Sequence, residues 1–276
     1  MTQHVVISGL ADGMGRRTAL LLADRGASIA GFDVDETGLT SLAEELDAKG
    51  VRHHLVPLDI RDRPAVRTFR NDTLARWGHV DTVVSNVGVP FFGPFEEADL
   101  DAALRAFEIN VIGAAALFQA FLPGMRERRR GKLVAVSSLV GRIPFPFESV
   151  YSSTKFALEG MVQSLRFEVE PYGVRVALIE PAQVATGFAA KALVLPAKGS
   201  PYFERASRFV ARDRELVARA TTPEQAAARI AAVVLAGRPK LFHQVDRRSS
   251  LFLRLNQYLP TRVRDAVLLH HMGIKD

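Results

Sequence analysis

A tyrosine and a lysine four positions apart are the residues of this chain best suited to proton transfer. Tyr151 and Lys155 lie in V-Y-S-S-T-K-F-A-L-E-G-M-V-Q-S-L-R-F, residues 150–167, where apolar residues recur near the period of a helix. At that period the two side chains lie one turn apart on the same face. An ammonium group lowers the pKa of a nearby phenol, because its charge favours the phenolate. Such a phenol can exchange a proton with a substrate oxygen near neutral pH.

Two further polar residues are candidates for the same site. Ser138 ends the strand-like run L-V-A-V-S-S, and its hydroxyl could hold the substrate oxygen. Asn110 interrupts the apolar stretch F-E-I-N-V-I-G within a helical pattern over residues 101–127, although a mid-helix Asn competes for backbone hydrogen bonds. Each of these residues, taken alone, is also typical of an ordinary surface or core position. The assignment therefore depends on the rest of the chain.

A glycine-rich turn follows the first predicted strand. Residues 5–7 form a continuous apolar run, Gly9, Gly13 and Gly15 come next, and a helical pattern covers residues 17–24. Glycines permit a tight turn and a close approach of the backbone, and the free amides at the start of the helix can bind a pyrophosphate. A strand, a glycine turn and a helix in this order predict a dinucleotide site.

An acidic residue follows where such a site requires one. A second strand over residues 28–32 ends at Asp33, roughly 20 residues after the glycines, where a carboxylate can accept hydrogen bonds from the adenosine ribose. The same carboxylate would repel the 2′-phosphate of NADP. We therefore expect NAD as the cofactor, with NADP as the less favoured choice. A solvated acid at a strand end is the alternative interpretation of Asp33.

Together these motifs resemble the short-chain dehydrogenase/reductase family. The motifs occur in the order and spacing of that family over roughly residues 4–187: S-G-L-A-D-G-M-G at 8–15, D-I at 59–60, S-N-V-G at 85–88, Asn110, Ser138, Y-S-S-T-K at 151–155 and P-A-Q-V-A-T at 181–186. The segment P-F-E-S-V-Y-S-S-T-K-F-A-L-E-G, residues 146–160, is most similar to 17β-hydroxysteroid and retinol dehydrogenases.

The resemblance implies a role for each matched residue. Tyr151 would be the general acid/base and Ser138 would orient the substrate oxygen. Lys155 would bind the nicotinamide ribose and lower the Tyr151 pKa, and Asn110 would open its helix so that a water connects Lys155 to solvent. The implied cofactor contacts are Ser8, Gly9, Asp12, Gly13, Met14, Gly15, Asp33, Asp59, Ile60, Asn86, Val87, Gly88, Tyr151, Lys155, Pro181, Val184 and Thr186.

Some positions qualify this family pattern. Asp12 stands where relatives that use NADP often carry a basic residue, which again favours NAD. Ser85 replaces the usual Asn, and Ala182 replaces the usual Gly. We expect a negative φ at Ala182, because a β-carbon disfavours the left-handed region.

The alternation of strand and helix patterns predicts a single α/β domain. We expect a Rossmann-like, doubly wound parallel sheet of about seven strands with helices on both faces. This domain would cover residues 1–245, and a basic amphipathic tail would follow over 246–276. The strands are expected at 5–7, 28–32, 52–58, 82–85, 133–138, 174–179 and 241–242.

The composition excludes several classes of protein. With 276 residues, 48% hydrophobic and 24% charged, the chain has the values of a globular domain. The lack of cysteine excludes disulfides and zinc–sulfur sites, and we predict no metal site. No signal peptide or 18-residue apolar run is readable, so we expect a cytoplasmic protein. The net charge is +6, but the arginines are scattered among acids, so nucleic acid is not an expected partner.

Two segments are expected to shape the substrate site or an interface. Residues 187–221 carry apolar side chains interrupted by proline and glycine, which predicts a lid over a lipophilic alcohol or ketone; the alternative for 207–219 is an amphipathic surface helix. The tail has six Lys/Arg against two Asp over 247–276. It could contact an anionic membrane surface, cover the substrate mouth or pack in a dimer.

These observations indicate an enzyme that interconverts a lipophilic secondary alcohol and its ketone by hydride transfer with NAD. The alternatives are an NADPH-dependent ketoreductase of a polyketide, fatty acyl or terpenoid pathway and a dinucleotide-sensing regulator without chemistry. A methyltransferase would share the glycine turn but has no use for Y-x-x-x-K. The resemblance also implies a homodimer or homotetramer formed through the long helices that hold Asn110 and Tyr151.

Overall fold

A sheet of seven parallel strands carries the site. The structure, a computed structural model, describes residues 2–185, 188, 196–256 and 258–274. Its strands are β1 (His4–Ser8), β2 (Ser28–Asp33), β3 (His53–Pro57), β4 (Thr82–Ser85), β5 (Gly131–Val136), β6 (Val174–Glu180) and β7 (Phe242–Gln244). They are paired in the order β3-β2-β1-β4-β5-β6-β7, and every pairing is parallel. The predicted Rossmann-like fold is confirmed.

Helices cover both faces of this sheet. They are α1 (Gly13–Ala23), α2 (Glu36–Ala48), α3 (Arg63–Trp77), α4 (Leu100–Phe107), α5 (Ala114–Glu127), α6 (Ser149–Val169), α7 (Phe203–Ala218), α8 (Pro223–Leu235), α9 (Arg247–Asn256) and α10 (Thr261–His271). One core cluster joins α3, α5 and α6 to the sheet, and a second joins α1, α2 and α8 to its other face. Val83 belongs to the first cluster and its neighbour Val84 to the second, as the two-residue period of a strand requires. The continuous apolar runs in the sequence thus reflect strands buried on both faces.

The site lies where the direction of winding reverses. β1 pairs with β2 on one side and with β4 on the other, so the connections that leave β1 and β4 diverge. Ser8 and Ser85 are register partners at the ends of these two strands. The divergence leaves a crevice at the carboxyl ends of the strands, which is where open α/β sheets bind ligands.

A long helical run, Leu100–Glu127, packs along this sheet. A window of 18 residues within it has a mean hydropathy of 1.4, so by length and composition this run could cross a membrane, although no such run was expected from the sequence. Its inner face, which includes Leu117, Phe118 and Phe121, is buried against the sheet and α3. These contacts explain the apolar character of that inner face.

The C-terminal tail forms two helices that pack on the chain itself. Leu268 of α10 and the following Met272 and Ile274 are buried in a third core cluster with Phe209 and Val210 of α7. The outer face of the tail keeps large apolar residues exposed: Leu251, Leu255, Tyr258, Leu259, Val263 and Val267. Of the three alternatives from the sequence, the structure shows the tail beside the predicted substrate region.

The connection from α6 to β6 requires a glycine. Gly173 has a φ of +76°, and a β-carbon there would lie 2.1 Å from the carbonyl oxygen of Arg129. A side chain would therefore suffer both backbone strain and a clash with another main chain. Gly237 also lies in a connection, but its φ is not positive and a β-carbon there would meet nothing within 4 Å.

We predict that Gly173→Ala lowers the free energy of unfolding by about 2–4 kcal/mol, because the left-handed backbone and the Arg129 carbonyl both oppose a β-carbon. Gly237→Ala is the control and is expected to change it by less than about 0.5 kcal/mol. Urea denaturation followed by circular dichroism measures both. Equal stability of the two variants would contradict the role assigned to Gly173.

Candidate active site

One cavity collects most of the residues that the sequence predicted. Its volume is ≈ 550 Å³, and it opens at the carboxyl ends of the central strands. The predicted site residues that line it are Gly9, Asp12, Gly13, Met14, Asp33, Asn86, Val87, Gly88, Ser138, Tyr151, Lys155, Pro181 and Val184. Thr186 lies outside the described residues. Outside this lining lie Ser8, Gly15, Asp59, Ile60 and Asn110.

The glycine turn leaves no room for a side chain inside it. Gly9 has a φ of +71°, and a β-carbon on Gly15 would lie 1.9 Å from the Gly9 carbonyl oxygen. The Asn86 side-chain amide donates to that same oxygen at 2.8 Å. Ser8 Oγ accepts a hydrogen bond from the Asn86 backbone at 3.1 Å. Ser8 and Gly15 therefore support the conformation of the turn from the side away from the cavity.

The turn presents free amides and a carboxylate to the cavity. Asp12 occupies the N-cap position of α1 and makes no side-chain cap hydrogen bond within the described part of the chain. The amides of the first turn of α1 are thus available to an anion. Asp33 Oδ2 accepts from the Ala11 amide and Oδ1 from the Asp35 amide, both at 3.1 Å. These bonds hold the Asp33 carboxylate beside the turn.

Ser138, Tyr151 and Lys155 meet at the other end of the cavity. The Ser138 hydroxyl follows β5 and lies within hydrogen-bonding reach of the Tyr151 phenol. The Lys155 ammonium lies 5.7 Å from the centroid of the Tyr151 ring and donates to the Val136 carbonyl at 3.1 Å. The tyrosine and the lysine are only 7% and 3% exposed. The predicted convergence of a phenol, an ammonium and a hydroxyl is therefore present.

The pKa of Tyr151 shifts opposite to the direction expected from the sequence. Burial raises the Tyr151 pKa and the nearby Glu148 carboxyl raises it further, while the Ser138 hydroxyl lowers it. Burial also lowers the pKa of Lys155 to about 8, with Glu159 opposing. The expectation that Lys155 lowers the Tyr151 pKa is wrong for this conformation. Its physical reason is that the ammonium is directed to a backbone carbonyl and both groups are desolvated.

Asn110 joins three elements of the site. It lies in a π-helical turn, Glu108–Gly113, so the predicted opening of the helix is confirmed. Its side-chain oxygen accepts from the Val89 amide at 2.8 Å, and its side-chain nitrogen donates to the Val89 carbonyl at 2.9 Å and to Thr154 Oγ1 at 3.0 Å. These bonds tie the loop after β4 to α6. The water path to Lys155 stays a prediction.

Two predicted cofactor contacts lie outside the cavity lining. Asp59 forms an ion pair with Arg61, with 2.6 Å between a guanidinium nitrogen and a carboxylate oxygen. The hydrogen bonds from Arg61 lower the Asp59 pKa. Ile60 is buried and packs closely on Gly113 of the π-helical turn, since a β-carbon on Gly113 would lie 2.8 Å from the Ile60 side chain. Ile60 therefore also supports that turn. The roles of both residues toward a cofactor stay predictions. At Ala182 the expected negative φ is observed, since the non-glycine residues with positive φ in the described chain are Arg129 and Phe147.

A pair of buried carboxyl groups lies beside Ser137, next to Ser138. Glu159 on α6 and Glu180 at the end of β6 are 2% and 0% exposed. Ser137 Oγ donates to Glu159 at 2.9 Å, Arg142 donates to Glu180 at 3.0 Å, and Gln244 donates to the other Glu180 oxygen. Burial raises the pKa of Glu159 to about 9, and Glu180 raises it as well. This network fixes the strand ends next to Ser138.

This network and two further acids in the cavity wall were not predicted from the sequence. Glu148, just before α6, and Asp213, on α7, both line the cavity with Tyr151. The signal for Glu148 was an acid that follows the aromatic run F-P-F directly. The signal for Asp213 was an acid at the helical spacing of Phe209 and Val210. Residues 196–202 also contribute: Ser200 and Tyr202 donate hydrogen bonds to Glu97 and Glu96, which attach the start of α7 to the loop after β4.

Comparison with known proteins agrees with this geometry. Residues 3–193 match the family described as short chain dehydrogenase. The chain is 34% identical over 204 residues to dehydrogenase/reductase SDR family member 7B of Bos taurus, in an alignment that covers 72% of this chain and 62% of that protein. It is 31% identical over 278 residues to 17-beta-hydroxysteroid dehydrogenase type 1 of Homo sapiens, covering 96% and 84%. The chain thus spans less than two thirds of the first relative.

Solved structures share the whole architecture. A short-chain dehydrogenase from Streptomyces avermitilis has a TM-score of 0.82 and 29% identity, covering 98% of this chain and 96% of that one. A short chain dehydrogenase/reductase from Burkholderia phymatum in complex with NAD has a TM-score of 0.80 at 24% identity, covering 93% of each chain, and shows the fold. The predicted similarity to hydroxysteroid dehydrogenases is confirmed by the curated relatives.

The Glu159 pKa generates a prediction for stability against pH. In the folded chain Glu159 stays protonated up to about pH 9, whereas the ordinary pKa of a glutamate, which the unfolded chain has, is 4.5. The preference of the folded chain for the protonated carboxyl therefore contributes fully to stability below pH 4.5, and this contribution is lost as the pH rises to about 9. We predict that Glu159→Gln, which keeps a neutral side chain at every pH, raises the free energy of unfolding by about 1–3 kcal/mol at alkaline pH. The gain should be small near pH 5.

Thermal unfolding of wild type and variant between pH 5 and 9 measures this effect. Glu168→Gln changes an exposed glutamate on the same helix and serves as control, with less than about 0.5 kcal/mol expected at any pH. A constant difference between wild type and Glu159→Gln across that range would contradict the raised pKa.

Proposed function

The chain belongs to the short-chain dehydrogenase/reductase family, and on that premise we propose that it transfers hydride between NAD and the carbinol carbon of a lipophilic secondary alcohol. One observation carries this proposal. Ser138, Tyr151 and Lys155 share a single cavity with the glycine turn and Asp33. Proton transfer and dinucleotide binding are therefore supported at one place.

The residues present fit a dinucleotide. The turn between β1 and α1 excludes side chains and offers backbone amides, which suits a pyrophosphate. The Asp33 carboxylate beside that turn suits ribose hydroxyls and disfavours a 2′-phosphate. A bound nicotinamide would supply the hydride acceptor or donor. These features support NAD, with NADP less favoured.

The chain's own residues would handle the proton and hold the substrate oxygen. Ser138 orients that oxygen against Tyr151, and the phenol takes the hydroxyl proton during oxidation or returns it during reduction. Oxidation requires the phenolate, which a positive charge favours. Lys155 is the nearby cation of the described lining, and a turn of its ammonium from Val136 toward the phenol would stabilise the phenolate.

Aromatic walls support a lipophilic substrate. The rings of Phe188 and Phe92 lie 5.9 and 6.2 Å from the Tyr151 ring, centroid to centroid. Phe145, Leu139 and Val140 also line the cavity. An apolar wall with a few polar groups is typical of sites for small organic ligands. That two relatives are named hydroxysteroid dehydrogenases agrees with this choice.

Reduction of a ketone is the second candidate. The raised pKa of Tyr151 keeps the phenol protonated, and a protonated phenol is the acid that a carbonyl oxygen needs. A ketoreductase that uses NADPH would use the same residues, but Asp33 is expected to repel the 2′-phosphate of NADPH. A regulator without chemistry gains no support, because the three catalytic groups converge.

Assembly and location complete the proposal. Leu100, Leu104 and Ile112 on the long helix and Phe156 and Phe167 on α6 are large apolar residues that lie exposed. A homodimer or homotetramer formed through these helices would bury them. We place the protein in the cytoplasm, in keeping with its lack of cysteine.

We predict that Tyr151→Phe lowers kcat by about 10²–10⁴-fold or more, because the variant has no proton to exchange, while Kd for NAD changes little. The rate is measured with lipophilic secondary alcohols and NAD at the absorbance of NADH, and Kd by fluorescence titration. Tyr172→Phe makes the same change at an exposed tyrosine after α6 and should leave both values unchanged. A Tyr151→Phe enzyme with most of its rate would refute the assigned role.

We also predict that wild type prefers NAD over NADP and that Asp33→Asn weakens this preference by about tenfold or more, because the carboxylate no longer repels a 2′-phosphate. The ratio of kcat/KM for the two nucleotides measures it. Asp72→Asn alters an exposed acid on α3 and is the control. A wild-type preference for NADP would favour the ketoreductase instead.

A further inference from the structure

Two carboxyl groups in the cavity neither give up nor accept the proton in the proposed transfer. Glu148 and Asp213 line the same cavity as Tyr151 and are only 5% and 6% exposed. They come from different elements, the segment before α6 and the middle of α7. Buried carboxyls are unfavourable unless something compensates them, so their presence in a substrate cavity requires a reason.

The backbone before α6 directs Glu148 into the cavity. Glu148 occupies the N-cap position of α6, where a side chain normally accepts from the helix amides, yet within the described chain it makes no such bond. The preceding Phe147 has a φ of +60°, in the left-handed region that an aromatic residue disfavours. The Phe147 carbonyl accepts from the Gly93 amide at 2.8 Å, and its ring packs on Phe209 at 5.5 Å. Strain of this kind is concentrated at functional sites.

Asp213 takes an apolar position on α7. The residues one turn before it, Phe209 and Val210, are buried in the third core cluster, so helical periodicity calls for an apolar side chain at 213. The Gln183 side chain hydrogen-bonds Asp213 and partly opposes the rise of its pKa that burial causes. Gln183 also lines the cavity, so the polar groups share one end of it.

No cation compensates this pair among the described residues of the lining. Lys155 is the one Lys or Arg there, and its ammonium is bonded to the Val136 carbonyl. The charged group that affects Glu148 is Asp213, which adds to the effect of burial in raising the Glu148 pKa. Within the described part of the chain, two acids without a positive partner in the lining therefore face a cavity whose other walls are mostly aromatic and aliphatic.

We propose that Glu148 and Asp213 bind a second polar group of the substrate, a hydrogen-bond donor carried on the same molecule as the carbinol that meets Tyr151. This inference rests on the proposed dehydrogenase function. The donor is a hydroxyl, which suits a protonated carboxyl, or an ammonium, which suits an ionised one. A site built around such a bond rejects the analogue that lacks it, because the buried polar groups are then left unpaired.

The experiment uses a matched set of alcohols on the full chain. The probes are cyclohexanol, the positional isomers of cyclohexanediol and those of aminocyclohexanol, each tested with NAD and with NADP. The variants are Glu148→Met and Asp213→Leu, which remove a carboxyl at similar volume, and Glu148→Gln, which removes only the charge. Glu215→Leu changes an exposed acid on α7, the helix of Asp213, and is the control.

We expect wild type to favour one donor-bearing isomer over cyclohexanol by about tenfold or more in kcat/KM, since a buried hydrogen bond discriminates at that level. Glu148→Met and Asp213→Leu should abolish this preference and raise Tm, because an uncompensated buried acid has been removed. If wild type prefers an aminocyclohexanol and Glu148→Gln abolishes that preference, the bound group is an ammonium. If wild type prefers a cyclohexanediol and that preference survives in Glu148→Gln, the bound group is a hydroxyl. Glu215→Leu should keep the wild-type preference.

Two results would overturn the inference. One is a wild-type enzyme that turns over cyclohexanol and the donor-bearing probes equally, in which case the dehydrogenase function still stands. The other is a preference that survives both apolar variants while their Tm falls, which would make the carboxyls structural. If no alcohol reacts with either nucleotide, the dehydrogenase function fails, and the inference about the carboxyl pair is then tested by the rise in wild-type Tm on adding each probe. A larger rise with a donor-bearing probe than with cyclohexanol, lost in Glu148→Met, supports binding by the pair. Equal rises with all probes overturn the inference.

Discussion

The hydrogen bonds of the buried Asn110 side chain hold the site together. Its amide pairs with both backbone groups of Val89 and with Thr154, so one residue connects the loop after β4, a π-helical turn and the helix of Tyr151 and Lys155. An amide that is 1% exposed must satisfy its donors and acceptor within the protein, and all these partners do so. Any shift of α6 relative to β4 would leave a polar group unpaired. The distance between the proton-transfer residues and the glycine turn is thus fixed by a buried bond network.

Local patterns were enough to predict the sheet, the glycine turn and the Tyr151–Lys155 pair. Strand β1 is a continuous apolar run because both faces of the sheet are covered, and the turn after it needs glycines because Gly15 packs against the Gly9 carbonyl. The spacing of Tyr151 and Lys155 depends only on the helical period. Such features are set by residues close in sequence, so a single sequence is sufficient for them.

Features that depend on distant parts of the chain were missed. The Tyr151 pKa rises because of burial and because of Glu148, and burial depends on how α7 and the loop after β4 close the cavity. Glu148 and Asp213 are far apart in sequence and meet only in the folded chain. In each case the partner in space decides the chemistry.

The C-terminal helix α10 has a consequence for exchange of ligands. Met272 and Ile274 are fully buried in the cluster that also contains Phe209 and Val210 of α7, while Ser200 and Tyr202 secure the start of α7 from the other side. Helix α7, which bears Asp213 and Val217 of the cavity wall, is therefore held both by packing against the tail and by hydrogen bonds at its start. Where a ligand leaves through this wall, both sets of contacts must break, and the residence time of the product then depends on the packing of the tail as well as on the chemistry at Tyr151.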